Sequence, residues 1–113
     1  MIETATTGPS YIVKSIETIA EGSDIRARLY TLASGDVIPW HYHSHVTDWY
    51  FCLGGELRIE TRAPRADERI AVGETYSITP KTGQRISNGG NGDDCRFLLV
   101  QGVGAYDFNK IED

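Results

Sequence analysis

The feature that most limits how this chain can fold is its punctuation. From Tyr11 to Gln101, short stretches rich in β-branched and aromatic residues alternate with Gly, Asn, Asp or Pro. That rhythm leaves no convincing helix and predicts strands. Ile25 to Leu32 sets Ile25, Ala27, Leu29 and Thr31 on one side and Arg26, Arg28, Tyr30 and Leu32 on the other, and the turn Ser34-Gly35-Asp36 closes it. Val37 to His43 reads as the next strand. Trp49 to Leu53 and Glu56 to Arg62 are joined by Gly54-Gly55, a strong hairpin signal. Arg69 to Val72 and Thr75 to Ile78 flank Gly73-Glu74. Gln84 to Asn88 runs into the polar loop Gly89 to Asp94, and Cys95 to Gln101 reads as a buried strand. Pro64 and mixed charge mark Ala63 to Glu68 as a surface loop. Ser15 to Glu21 stays ambiguous, because Ile16 and Ile19 fit a helical turn that Gly22-Ser23 ends at once. Many short strands without a helix of consequence indicate an all-β sandwich or barrel. A small one closes its edges by jelly-roll topology.

A chain of 113 residues has room for one domain and one core. The Thr-rich start, residues 1–10, is expected to be flexible, and 104–113 reads as a polar, aromatic tail. The net charge of -5 comes with no basic stripe, which argues against nucleic acid as a partner. No apolar run approaches a membrane span. The first residues have neither a positive n-region nor an apolar h-region, so a cytoplasmic location is expected. Cys52 and Cys95 share no CxxC-type spacing and are expected to be reduced core thiols. The Gly89 to Gly92 run lacks a following helix with a P-loop lysine, and so reads as a flexible loop rather than a phosphate cradle.

All three histidines lie within Trp40-His41-Tyr42-His43-Ser44-His45-Val46-Thr47-Asp48. Residues i and i+2 of a strand share a face, so His41 and His43 can aim two imidazoles at one point. Asp48 can return to that point after a short bend. Two nitrogens and an oxygen converging are what a first-row divalent metal asks for. By strand parity Tyr50 and Cys52 share the face of Asp48, while Trp49, Phe51 and Leu53 look the other way. Ile86 and Asn88 join Gln84 in the same manner, with Asn88 expected to cap the turn into the Gly-rich loop.

In these residues the chain resembles a small single-domain cupin. The first motif of that family runs here as Gly35, five residues, His41-Tyr42-His43, four residues, Asp48, six residues and Gly55. The second runs as Gly73, five residues, Thr79-Pro80-Lys81, then Thr82-Gly83, Gln84, three residues and Asn88. With their strands the motifs cover roughly residues 25–101. The resemblance implies a single jelly-roll barrel holding one divalent transition metal (Fe, Mn, Ni or Zn). Its ligands by position would be His41, His43, Asp48 and Gln84. Asp48 stands where the family has Glu, one methylene shorter, and Gln84 stands where it has His. His45 is an alternative source of the missing nitrogen if the strand continues that far.

Each feature also has a plain structural explanation. Asp48 can orient a ligating His instead of ligating, and Gln84 can be a pocket hydrogen-bonder. Tyr50 is either a phenol that donates to a bound substrate or a core aromatic with a satisfied hydroxyl. Arg58, Arg62, Arg65 and Arg69, interleaved with Glu56, Glu60 and Glu68, read as a solvated strand face. Trp40, Tyr42 and Trp49 on outward faces point to a homodimer. The expected function is a metal-dependent enzyme acting on a small molecule inside the barrel, by oxygen activation or by isomerase, cyclase or lyase chemistry. The alternative is a non-catalytic barrel that binds or senses a small ligand.

Overall fold

The computed structural model describes the strand Ile2–Glu3 and residues 11–112. Apart from that strand, the expected flexible start lies outside the described residues. Among the described residues eleven strands follow in chain order: β1 (Ile2–Glu3), β2 (Ser15–Glu21), β3 (Ile25–Leu32), β4 (Val37–Tyr42), β5 (Thr47–Gly54), β6 (Glu56–Arg62), β7 (Ala66–Ala71), β8 (Thr75–Ile78), β9 (Gly83–Asn88), β10 (Cys95–Gly102) and β11 (Asn109–Lys110). They form two antiparallel sheets, ordered β1-β2-β3-β10-β5-β8 and β11-β4-β9-β6-β7. One apolar cluster joins them, with Tyr30, Leu32, Cys52 and Phe97 from the first sheet and Ile38, Leu57, Ile59 and Ile86 from the second. The all-β jelly-roll expectation holds. Among the described residues no helix is long and apolar enough to cross a membrane.

Alternation explains most of this. In β5, β6 and β10 every second side chain is buried; β6 and β10 bury Leu57, Ile59, Phe97 and Leu99, whereas β5 buries Asp48, Tyr50 and Cys52 and turns Trp49, Phe51 and Leu53 outward. Cys52 and Cys95 are buried free thiols in that core. The hairpin between β5 and β6 needs glycine at position 55. Its φ is +68°, and a Cβ there would lie 2.5 Å from the carbonyl oxygen of Asp94.

One segment was open and one differs from expectation. The ambiguous Ser15–Glu21 is a strand: Ile16 is fully buried while Ile19 is 55% exposed, so the pair does not share a face. A register shift between Thr18 and Ala20 marks an irregularity in its pairing with β3. Ala66 to Glu68, read as loop, belongs to β7, and only 63–65 form the turn. β7 is an edge strand with one buried residue, Ile70, so charge is tolerated along it. Its Asp67 accepts two hydrogen bonds from Arg58 across the pair, at 3.0 and 2.8 Å.

Of the two sides of β3, Arg28, Tyr30 and Leu32 are the buried one, and Arg28 Nε donates to Thr18 Oγ1 at 3.3 Å. Asn88 does cap its loop: Nδ2 donates to Asp93 O and Oδ1 accepts from Gly90 N. Trp40, Tyr42 and Trp49 are half-buried rather than open, and the Arg62 guanidinium covers the Trp40 ring at 4.0 Å.

Candidate metal centre

His41 owes its inward direction to a bulge. In the β4–β9 pairing Ile38 faces Ile86 and His41 faces Gln84, and the register shifts by one residue between them. Ile38 and His41 are three apart, so an unbroken strand would send them to opposite faces. The shift lies across Pro39 and Trp40, and proline, which has no N–H to give a ladder, suits such a place. Both Ile38 and His41 are buried as a result. His43 follows just beyond the end of β4, and Asp48 enters from β5 in the opposite sheet, so the group bridges the two layers.

Two carbonyls set the imidazole tautomers. His41 Nδ1 lies 2.7 Å from Pro39 O, and His43 Nδ1 lies 2.6 Å from Asp107 O. A carbonyl can only accept, so both Nδ1 atoms carry hydrogen and donate. Both Nε2 atoms are thereby left to face the interior, the arrangement that orients histidine toward a metal. One ligand atom from each of His41, His43 and Asp48 lies within 4.8 Å of the others, and all three residues are buried. Two imidazole nitrogens and a carboxylate with fixed tautomers fit a first-row divalent ion.

The surrounding bonds hold Asp48. Its Oδ1 accepts from Gln101 Nε2 at 3.0 Å, and its Oδ2 lies 3.2 Å from His43 Nε2. Tyr50 Oη is 3.3 Å from Asp48 Oδ2 but only 2.6 Å from Gln84 Oε1, which accepts its hydrogen bond. Gln84 therefore reaches the site wall with its carbonyl oxygen engaged by Tyr50. His45 is exposed in the turn between β4 and β5 and does not join the group.

Burial is the largest influence on both imidazoles and disfavours their charged forms. It takes His41 down to about 4, with the neighbouring His43 adding to the effect. At His43 the hydrogen bond to Asp48 and the Asp48 charge, with Asp107 behind them, outweigh burial and raise the pKa. A cation bound here would take the place of this His43–Asp48 contact. Burial, then the Asp48 charge, pushes the Tyr50 phenol well above its ordinary value, which keeps it a donor and not a base.

Four further residues complete the site. Gln101 is the polar exception in the inward series Cys95, Phe97, Leu99, Gln101 of β10, and that exception was the available signal. Tyr106, Asp107 and Phe108 come from the tail that returns to pair with β4 through β11. Phe108 stacks on His41, with centroids 4.4 Å apart, and Tyr106 lies 5.3 Å from the His43 ring. No periodicity announced them, because the segment 103–108 is not strand. Gln101, Tyr106 and Phe108, with Tyr11 and Tyr30, leave a cavity of about 10 Å³ beside the histidines, room for about one water or ion.

Comparison with known structures agrees with this architecture. An uncharacterized conserved protein with a double-stranded beta-helix domain from Klebsiella pneumoniae is similar, at TM-score 0.74 and 18% identity over 98% of this chain and 90% of that one. Lactobacillus farciminis oxalate decarboxylase, solved as a formate complex, gives 0.73 and 17% over 86% of this chain, which spans only 31% of that enzyme. KdgF from Halomonas sp. gives 0.67 and 15% over 88% and 82%. No curated protein matches the sequence. The family model described as Cupin domain matches residues 28–101, most of the chain and all of both motifs. On that match, and on a double-layered barrel built around two inward histidines, this chain belongs to the cupin family.

Proposed function

We propose that this cupin binds one divalent first-row metal through His41, His43 and Asp48 and uses it to transform a small molecule. The observation that carries this reading is the pair of Nδ1–carbonyl bonds, which aim both Nε2 atoms toward the buried carboxylate. A bound ion of this kind would supply Lewis acidity, or a site for oxygen, in a buried cavity. His41 and His43 hold it, and Asp48 balances its charge. Gln101 keeps Asp48 oriented through its 3.0 Å bond. Tyr50, neutral and bonded to Gln84, is the group able to donate a proton or a hydrogen bond toward a reacting oxygen. Gln84 sets that phenol rather than completing the ligand shell.

One observation favours a second reading, a non-catalytic binding or sensing barrel. The cavity of about 10 Å³ admits nothing organic while Phe108 lies on His41. Metal content of protein purified without added metal, and after reconstitution with Fe(II), Mn(II), Ni(II) or Zn(II), separates the two. Near-stoichiometric metal that is lost in His41→Ala and His43→Ala supports the metal-dependent reading. No metal under any of these conditions rejects it. The single-domain, cytoplasmic and homodimeric expectations belong with this proposal. A dimer would use the outward Trp49 and Phe51 beside the edge strand β8. Light scattering that gives a monomer mass removes that part alone.

A further inference from the structure

The metal reading leaves Arg26 without a task. In the register of the first sheet Gln101 faces Arg26 of β3 on one side and Asp48 of β5 on the other. The three side chains form one row. Arg26 Nε donates to Gln101 Oε1 at 2.9 Å, and Gln101 Nε2 donates to Asp48 Oδ1 at 3.0 Å. Arg26 Nη2 is buried and has no hydrogen-bond partner, alone among the buried side-chain nitrogens and oxygens of the described residues. An unpaired buried donor on a permanent charge is costly to keep and calls for an explanation.

Tyr106 separates this guanidinium from the histidines. Its ring centre lies 3.6 Å from the guanidinium carbon and 5.3 Å from the His43 ring, yet the residue is 36% exposed. On the outer side a cavity of about 170 Å³ reaches Arg26, Gln101 and Tyr106, with Glu21 and Asp24 on its walls. A guanidinium edge is shaped for a carboxylate. Glu21 and Asp24 repel any anion, and the more strongly the higher its charge, so a single carboxylate is the anion they oppose least.

We propose that Arg26 anchors the carboxylate of a small monocarboxylic acid, which takes the place of the Tyr106 ring and points its other end past Gln101 toward His41, His43 and Asp48. The substrate role rests on the metal reading above; the anion site itself does not. It gives Nη2 the acceptor it lacks.

The test uses metal-free protein in excess chelator, with butyrate as the probe and NMR of the Arg26 Nε–H and Gln101 side-chain amide as readout. Butyrate is expected to shift both signals to saturation, whereas butyramide and inorganic phosphate at the same concentration shift neither. Arg26→Gln weakens butyrate binding about tenfold or more, and Arg26→Lys, which keeps the charge and loses the fork, weakens it by about half that factor. The Lys variant decides the matter if the Gln variant does not fold. Tyr106→Ala tightens binding, since the ring no longer competes. Equal binding of acid and amide, no shift in the wild-type signals, or an affinity unchanged in Arg26→Lys overturns the anchor. Weaker binding in Tyr106→Ala overturns the exchange of ring for ligand. Butyrate bound by a protein that takes up no metal sinks the metal reading alone, and metal without butyrate sinks this one alone.

Discussion

The two ends of the barrel are built by the same strands and have opposite chemistry. Along β5 the inward residues run Asp48, Tyr50, Cys52; along β9, Gln84 then Ile86; along β10, Cys95, Phe97, Leu99, Gln101. Antiparallel pairing collects the polar members at one end and the apolar ones at the other. At the apolar end the side chains answer only to packing: Leu57, Ile59, Ile86 and Phe97 are fully buried, and Phe97 stacks on Tyr30 at 4.9 Å. At the polar end every side chain answers to a named bond, and charge is buried at a cost that packing elsewhere must cover. Stability and chemistry are thus divided along the strands, not between separate parts of the chain.

That division can be broken experimentally. The largest effect is expected from Phe97→Ala, about 3–5 kcal/mol of stability by chemical denaturation. A loss under about 1 kcal/mol would mean that the apolar end does not carry the fold. Asp48→Asn is expected next, cutting metal affinity about 10- to 100-fold in a competition titration while circular dichroism stays unchanged. Unfolding of that variant would show the polar end to be structural. Phe108→Ala opens the space over His41 and should speed the stripping of bound metal by a chelator about tenfold, with affinity little changed. An unchanged rate would mean that the tail is not the barrier.

The smallest effect belongs to Asp67→Asn on the outer edge, which should leave the melting temperature within about 2 °C and metal binding intact. Arg58 holds the Asp67 carboxyl below its ordinary range. What little it contributes is therefore present at neutral pH and lost as pH falls below that range. A larger shift, or a gain in stability on acidification, would contradict the assignment.

Much of the site was legible because its residues obey period two. His41 and His43 could be aimed at one interior point, and Asp48 and Tyr50 put on one face of the next strand, by counting along strands. The direction of His41 still depended on a bulge at Pro39 that counting passes over. β2 stayed ambiguous because Ile16 and Ile19 satisfy a helical turn, and only pairing with β3 decides between the two. The charges of 66–68 suggested a loop because charge alone does not distinguish a turn from an edge strand. Gln84 fell on its wall as expected, but its bond to Tyr50 belongs to the opposite sheet.

By itself the order of residues determined the all-β architecture, the hairpin at Gly54-Gly55 and the convergence of histidine and carboxylate, because all three follow from local alternation and turn chemistry. Only the tertiary structure decided that Arg26, Gln101 and Asp48 stand in one row, that two carbonyls orient the imidazoles, and that Tyr106 and Phe108 close the mouth. Those contacts join residues up to 80 positions apart along a 113-residue chain. Such distances are crossed by sheet register and by the return of the tail, and no short-range pattern encodes either.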